Sequence, residues 1–326
     1  MEQSSQIRKT AYNTPFILQR ADPYVYRHTD GTYYFTASVP AYDRIILRCA
    51  GSIQDLQGAK ERTVWTKHES GPQSKHIWAP EIHCLGGKWY IYYAAGEVED
   101  VWKIRPYVLE CQGPDPMEDD WIELGMMQAA DDDEFSFQDF SLDATVFEHE
   151  GKYYYVWAEK VSVGRKISNL YIAEMERPWK LKTAQVLLTT PDYEWERHGF
   201  WVNEGPAILK HGDYIFLTYS ASDTGAHYCM GMMWVHKDAE ILDPRAWKKS
   251  RWPVVRTDEE KGIYGPGHNS FVKAEDGETD LCVYHARQYA EITGDPLYDP
   301  NRHAMLMKVE WKEDGMPKFD FQKQRS

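Results

Sequence analysis

Residues 199–220 read GFWVNEGPAILKHGDYIFLTYS, and this stretch decides the fold. It opens on aromatics, sets Glu204 directly before Gly205 and Pro206, and runs on through a short apolar segment. A glycine-containing turn at His211–Asp213 leads into a second, aromatic-rich run, Tyr214–Tyr219. Two apolar runs about a tight turn predict a β-hairpin. The hairpin itself has no need of an acid where its first strand begins.

The same phrase recurs along the chain. Asp22-Pro23 leads through Asp30-Gly31 into Thr32–Thr36, and Ala79-Pro80-Glu81 leads through Gly86-Gly87 into Trp89–Tyr93. Asp143-Ala144 leads through Glu150-Gly151 into Tyr153–Trp157, and His268-Asn269 leads through Asp276-Gly277 into Leu281–Tyr284. With the Glu204 copy, the repeat spacing is roughly 60 residues, a period that suits blades of four strands. The expectation is an all-β, five-bladed β-propeller with four antiparallel strands per blade and the active site at one mouth of the central channel. Its blades start near 22, 79, 143, 204 and 268. The repeat fills nearly all of residues 1–326, which are read as one catalytic domain without an accessory domain. Arg44–Cys49, Trp102–Cys111, Leu170–Met175 and His227–Val235 read as further strands. Ala304–Trp311 and Lys318–Phe321 read as outer strands of blade five, which then needs no N-terminal strand to close the ring.

Composition narrows the class. Aromatics make up 14% of the chain, with 13 Trp and 22 Tyr. Most are expected to pack between blades, and a minority suit the flat face of a sugar. A formal net charge of −14 argues against a nucleic-acid surface, which needs a basic stripe. Cys49, Cys84, Cys111, Cys229 and Cys282 are odd in number and scattered, so they read as reduced, mostly buried thiols. Met1–Thr10 is polar and carries no signal-peptide core, and no run is long enough to span a membrane, so a cytoplasmic protein without membrane or nucleic-acid partners is expected. The acidic segments Asp115–Asp120 and Asp131–Glu134 lack the ligand spacing of a calcium loop and read as solvated loops.

In a propeller the first strand of each blade lines the channel, so the residues that open the five copies meet at one mouth. Aligned this way they are Asp22, Ala79, Asp143, Glu204 and His268. One carboxylate at a strand start is ordinarily a local cap. Three in register, raising one another's pKa values, point to function. Glycosidic cleavage needs a protonated carboxyl to give its proton to the leaving oxygen and an ionised one to activate water. A third can hold the acid's pKa up and fix its orientation.

Ala21-Asp22-Pro23, Trp78-Ala79-Pro80-Glu81, Ser141-Leu142-Asp143-Ala144, Asn203-Glu204-Gly205-Pro206 and Tyr284-His285-Ala286-Arg287, in this order, resemble glycoside hydrolase family 43. The resemblance implies a five-bladed propeller and an inverting glycosidase acting on arabinose- or xylose-containing glycans. Carried over by motif, Asp22 looks like the general base, Glu204 like the general acid, and Asp143 like the carboxylate that tunes and positions Glu204. Arg287 resembles the family's substrate-contacting arginine, with a surface ion-pair partner as the plainer reading. His268 resembles a channel histidine beside a structural calcium ion, with a neutral hydrogen-bonded imidazole as the alternative; the chemistry itself requires no cofactor. Trp78 and Trp201 are candidate substrate walls, whereas His76 and His83 lack zinc-site spacing and read as core or rim residues.

The wording around Glu204 and Arg287 is most similar to exo-acting α-L-arabinofuranosidases. The insertions Glu97–Lys103, Asp131–Asp139 and Tyr193–Phe200 are expected to wall a groove into a pocket for one terminal sugar. Short imported arabino-oligosaccharides are then the expected substrate. The alternatives are a β-xylosidase, a bifunctional arabinofuranosidase/xylosidase, or a propeller that binds sugar without cleaving it. Oligomeric state is not legible.

Overall fold

Turn chemistry and alternating apolar runs produce the five expected hairpins in the computed structural model, which describes residues 12–161 and 166–321. The polar segment Met1–Thr10 lies outside the described residues. Five inner strands, Ala21–Arg27, Lys75–Leu85, Ser141–His149, Trp201–His211 and Tyr264–Lys273, each pair antiparallel with the strand that follows. The turns need left-handed backbone. Glu150 and Gly151 have φ of 51° and 74°, the pairing that twists two strands into a tight hairpin.

Third strands follow at Arg44–Ala50, Arg105–Cys111, Ile167–Arg177, Cys229–His236 and His303–Trp311. The second blade's third strand starts later than expected, and Trp102 sits in the turn before it. Outer strands are Arg62–Thr66, Trp121–Met126, Val186–Thr189 and Lys248–Lys249. Blades three and four are also joined by a short parallel pairing of Ile167 and Ser168 with Trp201 and Val202.

Blade five corrects the expected closure. Its third strand has a divided outer edge: Val309–Trp311 pair with the C-terminal strand Pro317–Phe319, whereas Ala304 and Met305 pair with the N-terminal strand Pro15–Ile17. Phe16 and Ile17 are buried there against Val283, Ala304 and Leu306. Apolar burial draws that strand in, and the hairpin repeat carries no trace of it.

The core lies between blades. Ile45 and Leu47 pack on Ile82 and Leu109 between blades one and two, and Tyr92 packs with Tyr155 and Trp157 between two and three. Val156 and Ile172 meet Leu217 and Tyr219 between three and four, Phe216 and Met232 meet Tyr284 and Met307 between four and five, and Val25 and Phe35 meet Val283 and Leu306 between five and one. All five cysteines are unpaired thiols, three of them buried.

Candidate active site

Each inner strand is kinked at the same place. The antiparallel register slips between Ala21 and Tyr24, Trp78 and Glu81, Leu142 and Thr145, Glu204 and Ala207, and Gly267 and Ser270. The first residue inside each slip is left-handed: Asp22 (φ 52°), Ala79 (45°), Asp143 (54°), Gly205 (54°) and His268 (45°). That conformation costs a non-glycine residue about 1–2 kcal/mol. Ala79 accepts it with no chemistry to perform, so the kink belongs to the fold, and the hub uses it to aim side chains inward.

This register corrects the sequence alignment at one position. The counterpart of Asp22, Asp143 and His268 in blade four is Gly205, and Glu204 stands one residue earlier. A β-carbon at Gly205 would lie 3.1 Å from Cγ of His268, closer than ordinary contact, so a side chain there would press on the imidazole. The acid therefore leaves the strand from the preceding residue and stays half-buried in the cavity wall. Aligning Pro23, Pro80 and Pro206 would have exposed the offset.

Asp22, Asp143 and Glu204 open into one cavity of about 680 Å³, within the size range of small-molecule sites. Their surroundings differ. The Asp22 carboxylate accepts from Ser38 Oγ at 2.6 Å and faces Arg302 Nη1 at 3.5 Å and His268 Nδ1 at 3.3 Å. Burial pushes Asp22 up, but His268, Arg302 and His285 together outweigh it and hold the carboxyl well below the usual range, Arg302 being the one of the three that stays charged at neutral pH. Asp143 is pushed well above that range by burial and then by the charges of Glu204 and Asp22, while the Gly205 N–H donates to it. Burial also raises Glu204, partly offset by a 2.8 Å hydrogen bond from the Tyr228 hydroxyl and by the charge of Lys160. The site thus holds one ionised carboxylate opposite two carboxyls that resist ionisation.

His285, beneath Asp22, is held neutral: burial pushes its imidazole down to about 3. Its Nδ1 accepts the Asp22 backbone N–H at 3.1 Å, so this ring nitrogen carries no proton.

The walls match part of the expectation. Trp78 and Trp201 both line the cavity, and each of the three insertions contributes to it through Trp102, Asp139, and Gly199 with Phe200. Buried acids brace two of these loops. Glu159 accepts from the amides of Phe137 and Asp139 at 2.9 and 3.2 Å and from the Trp157 indole at 2.9 Å. Glu196, fully buried, accepts from Tyr219 at 2.7 Å and Asn203 at 3.1 Å and pairs with Lys249 at 2.9 Å. His76 stacks on Trp78 with ring centroids 4.5 Å apart, and His83 bonds Glu81 at 2.9 Å.

Arg287 does not reach the cavity. It is 2% exposed, and its guanidinium binds Asp299 Oδ1 at 3.1 Å and the carbonyls of Thr224 and Pro296 at 2.7 Å each. It ties loops together behind the wall, in an ion pair that is buried and not at the surface. Among the described residues the arginine that lines the cavity is Arg302, which also donates to the Tyr42 hydroxyl at 2.7 Å. Arg302 precedes a third strand rather than opening a blade, so the repeat gave no signal for it; the same holds for Tyr228.

His268 lines the cavity with Nδ1 turned to Asp22 and, at 3.8 Å, to Asp143. Burial lowers its pKa, so the ring is neutral at neutral pH. Calcium takes six to eight oxygen ligands. Among the described residues no group of three or more His, Cys, Asp or Glu side chains has metal-holding geometry, and Arg302 adds a positive charge beside Asp22. This donor set does not fit a protein-caged calcium ion.

Five kinked inner strands around a carboxylate-lined cavity define an acid-mouthed five-bladed β-propeller. The chain belongs to Glycosyl hydrolases family 43, whose model matches residues 12–317. It is 48% identical over 308 residues to an extracellular exo-alpha-(1->5)-L-arabinofuranosidase of Streptomyces avermitilis, covering 94% of this chain and 63% of that protein. It is 49% identical over 289 residues to a protein of the same name from Streptomyces chartreusis, covering 89% and 86%. The crystal structure of an alpha-L-arabinofuranosidase from Lactobacillus brevis is similar at 50% identity with a TM-score of 0.89, covering 96% and 98% of the two chains. Two relatives named as extracellular overturn the cytoplasmic expectation. The preference for imported oligosaccharides rested on that expectation and falls with it.

Proposed function

We propose that this chain is an inverting exo-α-L-arabinofuranosidase that releases terminal arabinofuranose from α-1,5-linked arabino-oligosaccharides. One observation carries the reading: carboxyls from blades one, three and four share a cavity, with Asp22 held ionised and Asp143 and Glu204 held toward the protonated form. Asp22 is the base that takes a proton from water, and Glu204 is the acid that gives one to the glycosidic oxygen. Asp143 anchors the Gly205 amide beside Glu204 and so fixes the position of the acid. Arg302 holds Asp22 ionised, and Trp78 and Trp201 supply apolar faces for the sugar ring. The three loops that narrow the mouth, and the names of relatives near half identity, favour a terminal sugar over attack within a chain.

The test is product analysis on linear α-1,5-arabino-oligosaccharides, with the first-formed anomer followed by NMR. Release of single β-arabinofuranose units from the α-linked substrate is expected. Initial release of internal fragments, or an α-product, would sink the reading. Aryl β-D-xyloside assayed in parallel should be the poorer substrate than aryl α-L-arabinofuranoside.

A further inference from the structure

Glu204 is held by a hydrogen-bond chain that starts at the hub. The backbone N–H of His268 donates to Ser220 Oγ at 2.7 Å, and an amide nitrogen can only donate, so Ser220 accepts there. Ser220 in turn bonds the Tyr228 hydroxyl, and Tyr228 donates to Glu204 Oε1 at 2.8 Å. Tyr228 is 2% exposed and stacks on His285 with centroids 5.5 Å apart and planes 10° apart. Its slot depends on Gly267: a β-carbon there would lie 2.5 Å from Tyr228 Cε1 and 2.9 Å from Ser220 Oγ.

We infer that Tyr228 is a positioning residue for the reaction, directing the reactive proton of Glu204 onto Oε2 and stabilising the carboxylate left after that proton departs. With Oε1 occupied by a donor, the carboxyl proton has only the other oxygen to occupy. As Glu204 becomes anionic, the bond from Tyr228 gains charge assistance and strengthens, so it favours the transition state over the ground state. The inference rests on the proposed role of Glu204 as general acid.

Y228F removes the donor and keeps the ring. On α-1,5-arabinobiose, kcat should fall about 10- to 100-fold, the worth of a hydrogen bond to a charged group, with KM little changed. With 2,4-dinitrophenyl α-L-arabinofuranoside, whose leaving group needs no proton, the loss should shrink to a few-fold. The alkaline limb of the arabinobiose profile should move up by about one pH unit, because Glu204 loses a group that favoured its ionised form. G267A, which crowds the tyrosine without removing its hydroxyl, should shift the limb in the same direction. An unmoved limb with equal losses on both substrates overturns the positioning role. E204Q run alongside separates the two readings: if it cleaves arabinobiose at the parent rate, the general-acid role and this inference both fail. An inactive E204Q with an unaltered Y228F profile removes Tyr228 alone.

Discussion

Gly205 donates its backbone N–H to the Asp143 carboxylate, and Glu204 is the residue immediately before that amide. Blade three therefore holds blade four by the peptide that carries the proposed acid. An Asp143→Asn substitution keeps an acceptor for this amide and puts a neutral amide where burial already holds the carboxyl toward its protonated form. Glu204 then meets no change in neighbouring charge, so the alkaline limb of kcat/KM should stay in place; a limb that moved down would mean that Asp143 is ionised when Glu204 titrates.

The same substitution gives a stability prediction. A carboxyl whose pKa is raised by folding binds its proton more tightly folded than unfolded, so it lowers stability as pH rises past the unfolded value. D143N lacks that loss. Its Tm relative to the parent should be more favourable at about pH 7 than at about pH 4, by thermal denaturation in matched buffers. A constant or reversed difference would contradict the raised pKa.

Asp22 and Glu204 should separate by leaving group. Acid–base catalysis contributes about 10²–10⁴-fold, so D22N should lose at least about 100-fold on every substrate, since water must be activated whatever departs. E204Q should lose a comparable factor on arabinobiose and far less on the dinitrophenyl glycoside. Equal patterns in the two variants would contradict the assigned roles.

The two arginines should part along different measurements. Without Arg302, Asp22 loses a cation that keeps it ionised, so R302M should move the acid limb of kcat/KM to higher pH. R287M removes one partner of a buried ion pair and should cost about 3–5 kcal/mol by urea denaturation, with the acid limb in place.

Gly205→Ala tests the hub geometry. At φ 54°, and with its new carbon against His268, the variant should be less stable by about 1–2 kcal/mol from backbone strain alone. Turnover should fall as well, because Glu204 is displaced with the strand. Unchanged kcat would mean the kink does not set the acid's position.

What the sequence disclosed was whatever repeats. Gly-containing turns between apolar runs are local chemistry, so all five hairpins were legible, and with them Asp22, Asp143 and the neighbourhood of Glu204. The one-residue offset of Glu204 is marked in the sequence only by the shared prolines Pro23, Pro80 and Pro206, and its physical reason, the close approach of Gly205 to His268, lies across two blades. Arg302, Tyr228 and His285 come from second and third strands or the loops before them, where each blade differs. Arg287 was misread for the opposite reason: its segment fits the family pattern, but Asp299 and two carbonyls already engage its donors. The strand Pro15–Ile17 escaped notice because its partner lies nearly the whole chain away.

That distant pairing also governs assembly. Ala304 must exist before Ile17 has anything to pair with, so during synthesis four blades can form while the circle stays open. Joining residues this far apart adds a closure entropy that grows only slowly with separation, but the pairing is non-local and has to wait for the blades between them. The seam between Pro15–Ile17 and blade five is thus the natural last step of folding.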